Sequence, residues 1–284
     1  MEIKHVGVVG CGLMGSGIAE VAARSGYQVT VSEANQELLD KGLGNLRNSL
    51  GRGVKAGKLA EADMNAALGR IKGTISFDGL KTCDIVVEAV TENMAAKKEV
   101  FARLDTAVKA GSILASNTSC LSVIDMAMAT KRPERVVGMH FFNPVPVMKL
   151  VEVIKTIACS QETLDQAKAF GQSLGKTVIF APDAPGFVVN RLLVPYLLDA
   201  VRLVEAGVAS REEIDQGMVL GCAHPMGPLT LLDLVGIDTT LYIADAMFAE
   251  FKDAKFAAPP LMRKMVVAGR WGRKTGKGFY NYSK

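Results

Sequence analysis

Two short stretches carry residue types that could do chemistry. The first is Gly138-Met-His140-Phe-Phe-Asn143-Pro144-Val-Pro146-Val-Met-Lys149-Leu-Val-Glu152-Val, which holds one of only three histidines. His140 precedes Pro146 by six residues and Glu152 follows it by six, and apolar, strand-like residues flank both. If the chain doubles back around Pro146, His140 and Glu152 face each other on neighbouring antiparallel strands, where side chains come within reach. A carboxylate beside an imidazole orients the ring and favours its charged form, which is how a histidine general base is built. The same pair could equally do no more than fix a hairpin.

The second stretch is at the N-terminus. Residues 3–9 form a short β-branched run, Gly10-Cys11-Gly12-Leu13-Met14-Gly15 follows at once, and Ile18, Val21 and Ala22 then recur at helical spacing. The pattern is strand, glycine turn, helix. Gly10 permits the tight turn, Gly12 lets backbone approach a pyrophosphate, and Gly15 lets helix pack closely on strand. The helix N-terminus offers N–H groups and a positive dipole end to phosphates. A second strand over 28–32 ends at Glu33, which lies 23 residues after Gly10. An acid there accepts hydrogen bonds from an adenosine ribose and repels a 2′-phosphate, so NAD is expected rather than NADP. The competing reading is a glycine-rich turn in an unrelated α/β protein.

These residues need a frame. A helical pattern over 35–50 and another over 60–69, with Gly51, Gly53 and Gly57 between, predict a helical hairpin within 35–69. Strands are expected at 71–76, 84–89, 112–115 and 136–142, with a helix at 93–109. Residues 150–158 supply the antiparallel partner of the His140 strand, and 177–180 another edge. The fold class is therefore α/β: a doubly wound, mostly parallel sheet of Rossmann type with antiparallel edge strands, followed by an all-helical domain. Ala181-Pro-Asp-Ala-Pro-Gly186 marks the break. This divides the chain into a dinucleotide-binding domain, 1–183, and a helical domain, 184–284, for substrate and dimerisation. Helices are expected at 187–206, 211–220, 228–235, 238–251 and 260–268. The first is apolar enough to be buried in the domain or against another subunit, so a homodimer is expected.

Composition narrows the function. A net charge of +4 is too mild for a nucleic-acid partner, and no stretch approaches a membrane span. The five cysteines are odd in number, scattered and without metal-ligand spacing, so no metal is expected. Reduced thiols, and a first strand that leaves no room for a leader, fit a cytoplasmic protein. Between Lys41 and Ala60 there are five basic residues, Lys41, Arg47, Arg52, Lys55 and Lys58, and no acid. This is either a solvated face or a site for a second anionic ligand. Ser116-Asn117-Thr118-Ser119 reads as helix N-caps or as ligand contacts at a strand end. Asn190, early in an apolar helix, either bonds locally or faces a cleft.

Taken together, GCGLMGSGIA, IVVEAVTEN, ASNTS, GMHFFNPVPVMKLVEVI, PGFVVNRLLVPY, HPMGPLTLLDLVG and GRKTGKGFY resemble the L-3-hydroxyacyl-CoA dehydrogenase family, in its order and spacing, over nearly the whole chain. The resemblance implies NAD-dependent oxidation of (S)-3-hydroxyacyl-CoA thioesters, short-chain ones foremost, by a monofunctional enzyme. It implies that His140 is the base, that Glu152 holds its ring, and that Ser119 and Asn190 bind the substrate oxygen. It implies cofactor contacts from Gly10 to Gly15 and from Glu33, Glu92, Lys97, Ser119, Asn143 and Lys274. It implies CoA contacts at Ser49, Arg52, Lys55 and Ser119. Two positions depart from the pattern: Ala56 stands where relatives carry a lysine, and Glu33 replaces the more usual aspartate. A β-hydroxyacid dehydrogenase would use a lysine base instead, and a non-catalytic NAD-binding relative would lack His140, Glu152 or Ser119. Acyl-chain length depends on pocket depth, which no motif encodes.

Overall fold

The computed structural model describes residues 2–283. The chain divides into two compact units, one up to Ala184 and one from Pro185 onward. The first alternates strand and helix: β1 (His5–Val9), α1 (Leu13–Arg24), β2 (Gln28–Ser32), α2 (Gln36–Lys55), α3 (Glu61–Gly69), β3 (Ile71–Thr74), β4 (Ile85–Glu88), α4 (Met94–Ala107), β5 (Ile113–Ser116), α5 (Val123–Ala127), β6 (Val136–Phe141), β7 (Leu150–Lys155), α6 (Gln161–Ser173) and β8 (Thr177–Pro182). Its eight strands form one sheet in the order β3-β2-β1-β4-β5-β6-β7-β8. Neighbours from β3 to β6 are parallel, β6 and β7 are antiparallel, and β7 and β8 are parallel. The order reverses direction between β1 and β4, which opens a crevice at their C-terminal ends where such sheets bind ligands.

The central strands are short and wholly apolar until their last residue. Ile85-Val86-Val87 and Ile113-Leu114-Ala115 are buried on both faces, as a sheet covered by helices on both sides requires. Each then ends in a buried polar residue, Glu88 or Ser116. Gly10 sits at φ +90°, and a Cβ on Gly15 would lie 1.8 Å from the Gly10 carbonyl oxygen, so α1 approaches the turn more closely than any side chain allows.

Local chemistry accounts for the departures from expectation. The helix predicted to end at 50 continues through Gly51 and Gly53 to Lys55, and the hairpin turns at Gly57, whose φ is +67°. Ser116 to Ser119 cap no helix: the next one, α5, begins at Val123 with the Ser122 side chain as its N-cap. A helix at 161–173 stands where none was read, capped by Ser160 and buried along Leu164, Ala167 and Phe170.

The second unit is helical: α7 (Val189–Glu205), α8 (Arg211–Cys222), α9 (Pro228–Val235), α10 (Ile237–Phe251) and α11 (Pro260–Val267). Two buried aspartates organise it. Asp215 accepts the backbone N–H groups of Leu229 and Thr230 at the start of α9, at 2.7 and 2.9 Å. Asp233 accepts those of Phe279 and Tyr280, both at 2.9 Å, and so pins the C-terminal segment. Within the unit α7 buries Val194, Leu197, Leu198 and Val201, while Leu192 stays 74% exposed.

Asp84 ties the start of β4 to the start of β1. Its Oδ2 accepts the N–H groups of Lys4 and His5, at 2.7 and 2.8 Å, and Oδ1 pairs with Lys109. Burial works to raise its carboxyl, but Lys109 and the two N–H donors hold it below the usual 3.8. A folded-state value below the unfolded one adds stability above about pH 4, and this is lost as pH falls through the folded value. Asp84→Asn should therefore lower stability at neutral pH by roughly 1–3 kcal/mol. It should also flatten the acid-side slope of urea-unfolding stability, and an unchanged slope would exclude this role for Asp84.

Candidate functional site

The β6–β7 register sets His140 directly opposite Glu152. His140 Nδ1 lies 2.7 Å from Glu152 Oε2, with His140 6% and Glu152 0% exposed. Where Glu152 accepts this bond, Nδ1 is the ring nitrogen that carries the proton. The surroundings fix the ring. Phe142 packs on it with centroids 4.5 Å apart, and Asn117 Oδ1 accepts the N–H of Phe141 at 2.9 Å, bracing β6 next to His140. The connection between the strands is held as well: Lys176 Nζ donates to the carbonyl oxygens of Val145 and Met148, at 2.6 and 2.7 Å.

Beyond the ends of β4 and β5 lies a second group. Glu92 Oε1 accepts the Thr118 hydroxyl at 2.5 Å, the Ser119 N–H at 2.9 Å and the Ser119 hydroxyl at 3.2 Å. Its Oε2 lies 3.3 Å from Lys97 Nζ, which also donates to Glu88 Oε1 at 2.6 Å. Burial acts to raise the Glu92 carboxyl, but the charge of Lys97 with the Thr118 and Ser119 donors holds it below the usual range. Ser119, Glu92 and Lys97, each named from the sequence, thus form one connected cluster. Glu88 was missed, although an acid closing an apolar strand run was a visible signal.

The glycine turn fits a dinucleotide. In front of Gly12 the space is open, since a Cβ there would meet no atom within 4 Å. Gly12 and Leu13 are exposed, and Met14 is half-buried. Glu33 stands beside the turn: Oε1 accepts the Cys11 N–H at 2.6 Å and Oε2 the Ala34 N–H at 2.9 Å. Each oxygen keeps acceptor capacity for a ribose hydroxyl. Cys11 is no nucleophile; burial, with the Glu33 charge adding, pushes its thiol up to about 12. Asn143 is exposed just past β6.

On the hairpin, Ser49 is half-buried and Arg52 and Lys55 are exposed on the last turns of α2. A cavity of about 910 Å³ opens beside the hairpin turn, with Lys58, Arg24, Arg70, Lys149 and Lys176 in its wall against Asp63. Ser49, Arg52 and Lys55 do not line it. In the second unit, Asn190 is half-buried in the first turn of α7, and Lys274 Nζ pairs with Asp238 at 2.6 Å. Among the described residues no three His, Cys, Asp or Glu side chains are grouped to hold a metal ion, and no helix is long and apolar enough to cross a membrane.

Known proteins share this fold. Residues 5–184 match the 3-hydroxyacyl-CoA dehydrogenase NAD binding domain, and residues 186–282 match the C-terminal domain of the same family. The chain is 50% identical to a 3-hydroxybutyryl-CoA dehydrogenase of Mycobacterium tuberculosis over 282 residues, which cover 99% of each protein. It is 46% identical to the mitochondrial hydroxyacyl-coenzyme A dehydrogenase of Sus scrofa, covering 99% of this chain and 91% of the relative. The crystal structure of (S)-3-hydroxybutyryl-CoA dehydrogenase from Ralstonia eutropha superposes with a TM-score of 0.96 at 47% identity, covering all of both chains. With the glycine turn, Glu33 and a paired histidine on this sheet, the chain belongs to the 3-hydroxyacyl-CoA dehydrogenase family and is an NAD-dependent oxidoreductase.

Proposed function

We propose that the protein interconverts (S)-3-hydroxyacyl-CoA and 3-oxoacyl-CoA thioesters of short chain length, with His140 and Glu152 as its acid–base pair. The observation that carries this reading is the 2.7 Å contact between two buried side chains opposed across a strand pair. The short chain length is supported by relatives named 3-hydroxybutyryl-CoA dehydrogenase.

The turn from Gly10 to Gly15 holds the cofactor's pyrophosphate and Glu33 its adenosine ribose. When bound, NAD accepts the hydride that leaves C3 and returns it in the reverse direction. His140 Nε2 takes the 3-hydroxyl proton as the carbon–oxygen double bond forms. Glu152 goes on accepting from Nδ1 and stabilises the positive charge that develops on the ring. Ser119 binds the substrate oxygen, and Glu92, Lys97 and Asn143 belong to the cofactor side. Asn190, for the substrate oxygen, and Lys274, for the cofactor, keep the roles the family pattern gives them. The CoA phosphates run along the hairpin past Ser49, Arg52 and Lys55, where Lys58 and the neighbouring cavity add positive charge. Association into a homodimer is part of this reading, supported by the exposed apolar residues Leu192 and Leu220 of the second unit.

Acetoacetyl-CoA reduction by NADH tests the pair. His140→Gln should keep the fold and NADH binding while lowering kcat by roughly 10²–10⁴. Glu152→Gln should also be strongly impaired, and the double variant little worse than either single one, because the two act as a unit. Near-normal turnover in folded His140→Gln would sink the assignment.

Cofactor choice follows from Glu33. NADH should give a higher kcat/KM than NADPH, and Glu33→Ala should weaken NADH use and narrow the difference. Equal efficiency in the wild type would mean that Glu33 does not meet the ribose.

Charge removal on the hairpin tests the thioester. Arg52→Ala/Lys55→Ala should raise KM for acetoacetyl-CoA, and the loss should shrink with added salt as exposed ion pairs are screened. A truncated thioester lacking the nucleotide should react poorly with the wild type and be indifferent to the double variant. The same loss on both substrates would rule out a CoA site there.

A further inference from the structure

Lys97 is buried, at 1% exposure, and its charge is held inside by two carboxylates. The nearer belongs to Glu88, at the end of β4, which is 0% exposed. Glu88 is itself locked: Oε1 accepts Lys97 Nζ at 2.6 Å and the Val90 N–H at 2.7 Å, and Oε2 accepts the Ser116 hydroxyl at 2.7 Å. Three donors from three segments leave the carboxylate a single place to sit. Lys97 is fixed by it and reaches Glu92 Oε2 at 3.3 Å. The other oxygen of Glu92 then takes the Ser119 N–H and hydroxyl together with the Thr118 hydroxyl. The hydroxyl contact of Ser119 is its longer one, so Oγ can rotate toward a ligand while the N–H contact holds its backbone.

We propose that Glu88 is a positioning residue of the active centre, acting through Lys97 and Glu92 to set where Ser119 presents its hydroxyl. The inference rests on the reading of Ser119 as a substrate-binding group. The energetics favour such a role over a purely stabilising one. A buried ion pair can be exchanged for apolar side chains of similar size with little loss of stability, and sometimes with a gain. What apolar side chains cannot reproduce is the directional contact to Glu92. Removing one partner alone leaves an uncompensated buried charge. In Glu88→Gln, Lys97 would therefore draw the whole Glu92 carboxylate toward itself and away from Ser119.

The test is a double-mutant cycle between the Glu88–Lys97 pair and Ser119, read in acetoacetyl-CoA reduction. Glu88→Gln is the first variant, and Glu88→Leu/Lys97→Met the second, in case the first fails to fold. The expected result is a folded second variant whose unfolding midpoint is lowered by the loss of the acceptor for the Val90 N–H and the Ser116 hydroxyl, with kcat reduced roughly ten- to hundredfold. In a Ser119→Ala background the same change should cost less than about twofold, since the residue being positioned is gone. Crystal structures of either variant should show the Ser119 hydroxyl displaced from Glu92 Oε1. Losses that multiply with that of Ser119→Ala, or an unmoved Ser119, would overturn the proposal and leave Glu88 a stabilising residue. Wild-type turnover of acetoacetyl-CoA, measured first, tests the functional reading separately, and the displacement of Ser119 is read without it.

Discussion

Glu88 and Glu152 are both withdrawn completely from solvent near the C-terminal edge of the parallel strands. A carboxylate in such a place is tolerated only when a cation or a set of donors meets it. Each has such a partner: Lys97 for Glu88 and His140 for Glu152, at 2.6 and 2.7 Å. Much of the surrounding architecture serves to bring these partners in. The Glu88 pairing needs α4 to start where it does, with Asn93 capping it and Lys97 one turn further on. The Glu152 pairing needs β7 to return antiparallel in one register, since a slip of one residue would turn Glu152 to the opposite face of the sheet.

The two pairs lie on either side of β5 in the sheet, and the residues that close and follow that strand couple them mechanically. Ser116 closes β5 and donates to Glu88, while the next residue, Asn117, accepts from Phe141 beside His140. Thr118 and Ser119 follow, both held by Glu92. A four-residue segment thus touches both buried carboxylate groups, directly or through one neighbour. Rigid strands with their ends cross-braced by side chains give the small positional tolerance that proton transfer requires. The glycine turn at the end of β1 belongs to the same edge, so a cofactor held there meets groups already fixed in place.

Much of this was legible in the sequence where the determining physics is local. The equal spacing of His140 and Glu152 about Pro146 was enough to set them opposite each other, because strand side chains repeat every two residues. Strand, glycine turn and helix at the N-terminus read directly for the same reason. Misreadings arose where local preference competes with packing. Gly51 and Gly53 suggested a helix end, yet α2 runs through both, since its Leu46 and Leu50 are buried against the core. The helix 161–173 carried a cap and an apolar stripe that strand-like neighbours obscured. The cavity cations were out of reach for a different reason. Arg24, Lys58, Arg70, Lys149 and Lys176 come from separate elements, and no spacing along the chain announces that they meet.

In the proposed mechanism one proton is decisive: Nδ1 of His140 donates to Glu152, and Nε2 exchanges its proton with substrate. Long-range ¹H–¹⁵N NMR of the imidazole rings reads this directly, with only His5 and His224 to distinguish, which His140→Gln does by subtraction. Nδ1 of His140 is expected to carry a proton, and this preference to be lost in Glu152→Ala. A ring protonated only at Nε2 in the wild type, or a tautomer unchanged by removing Glu152, would contradict it.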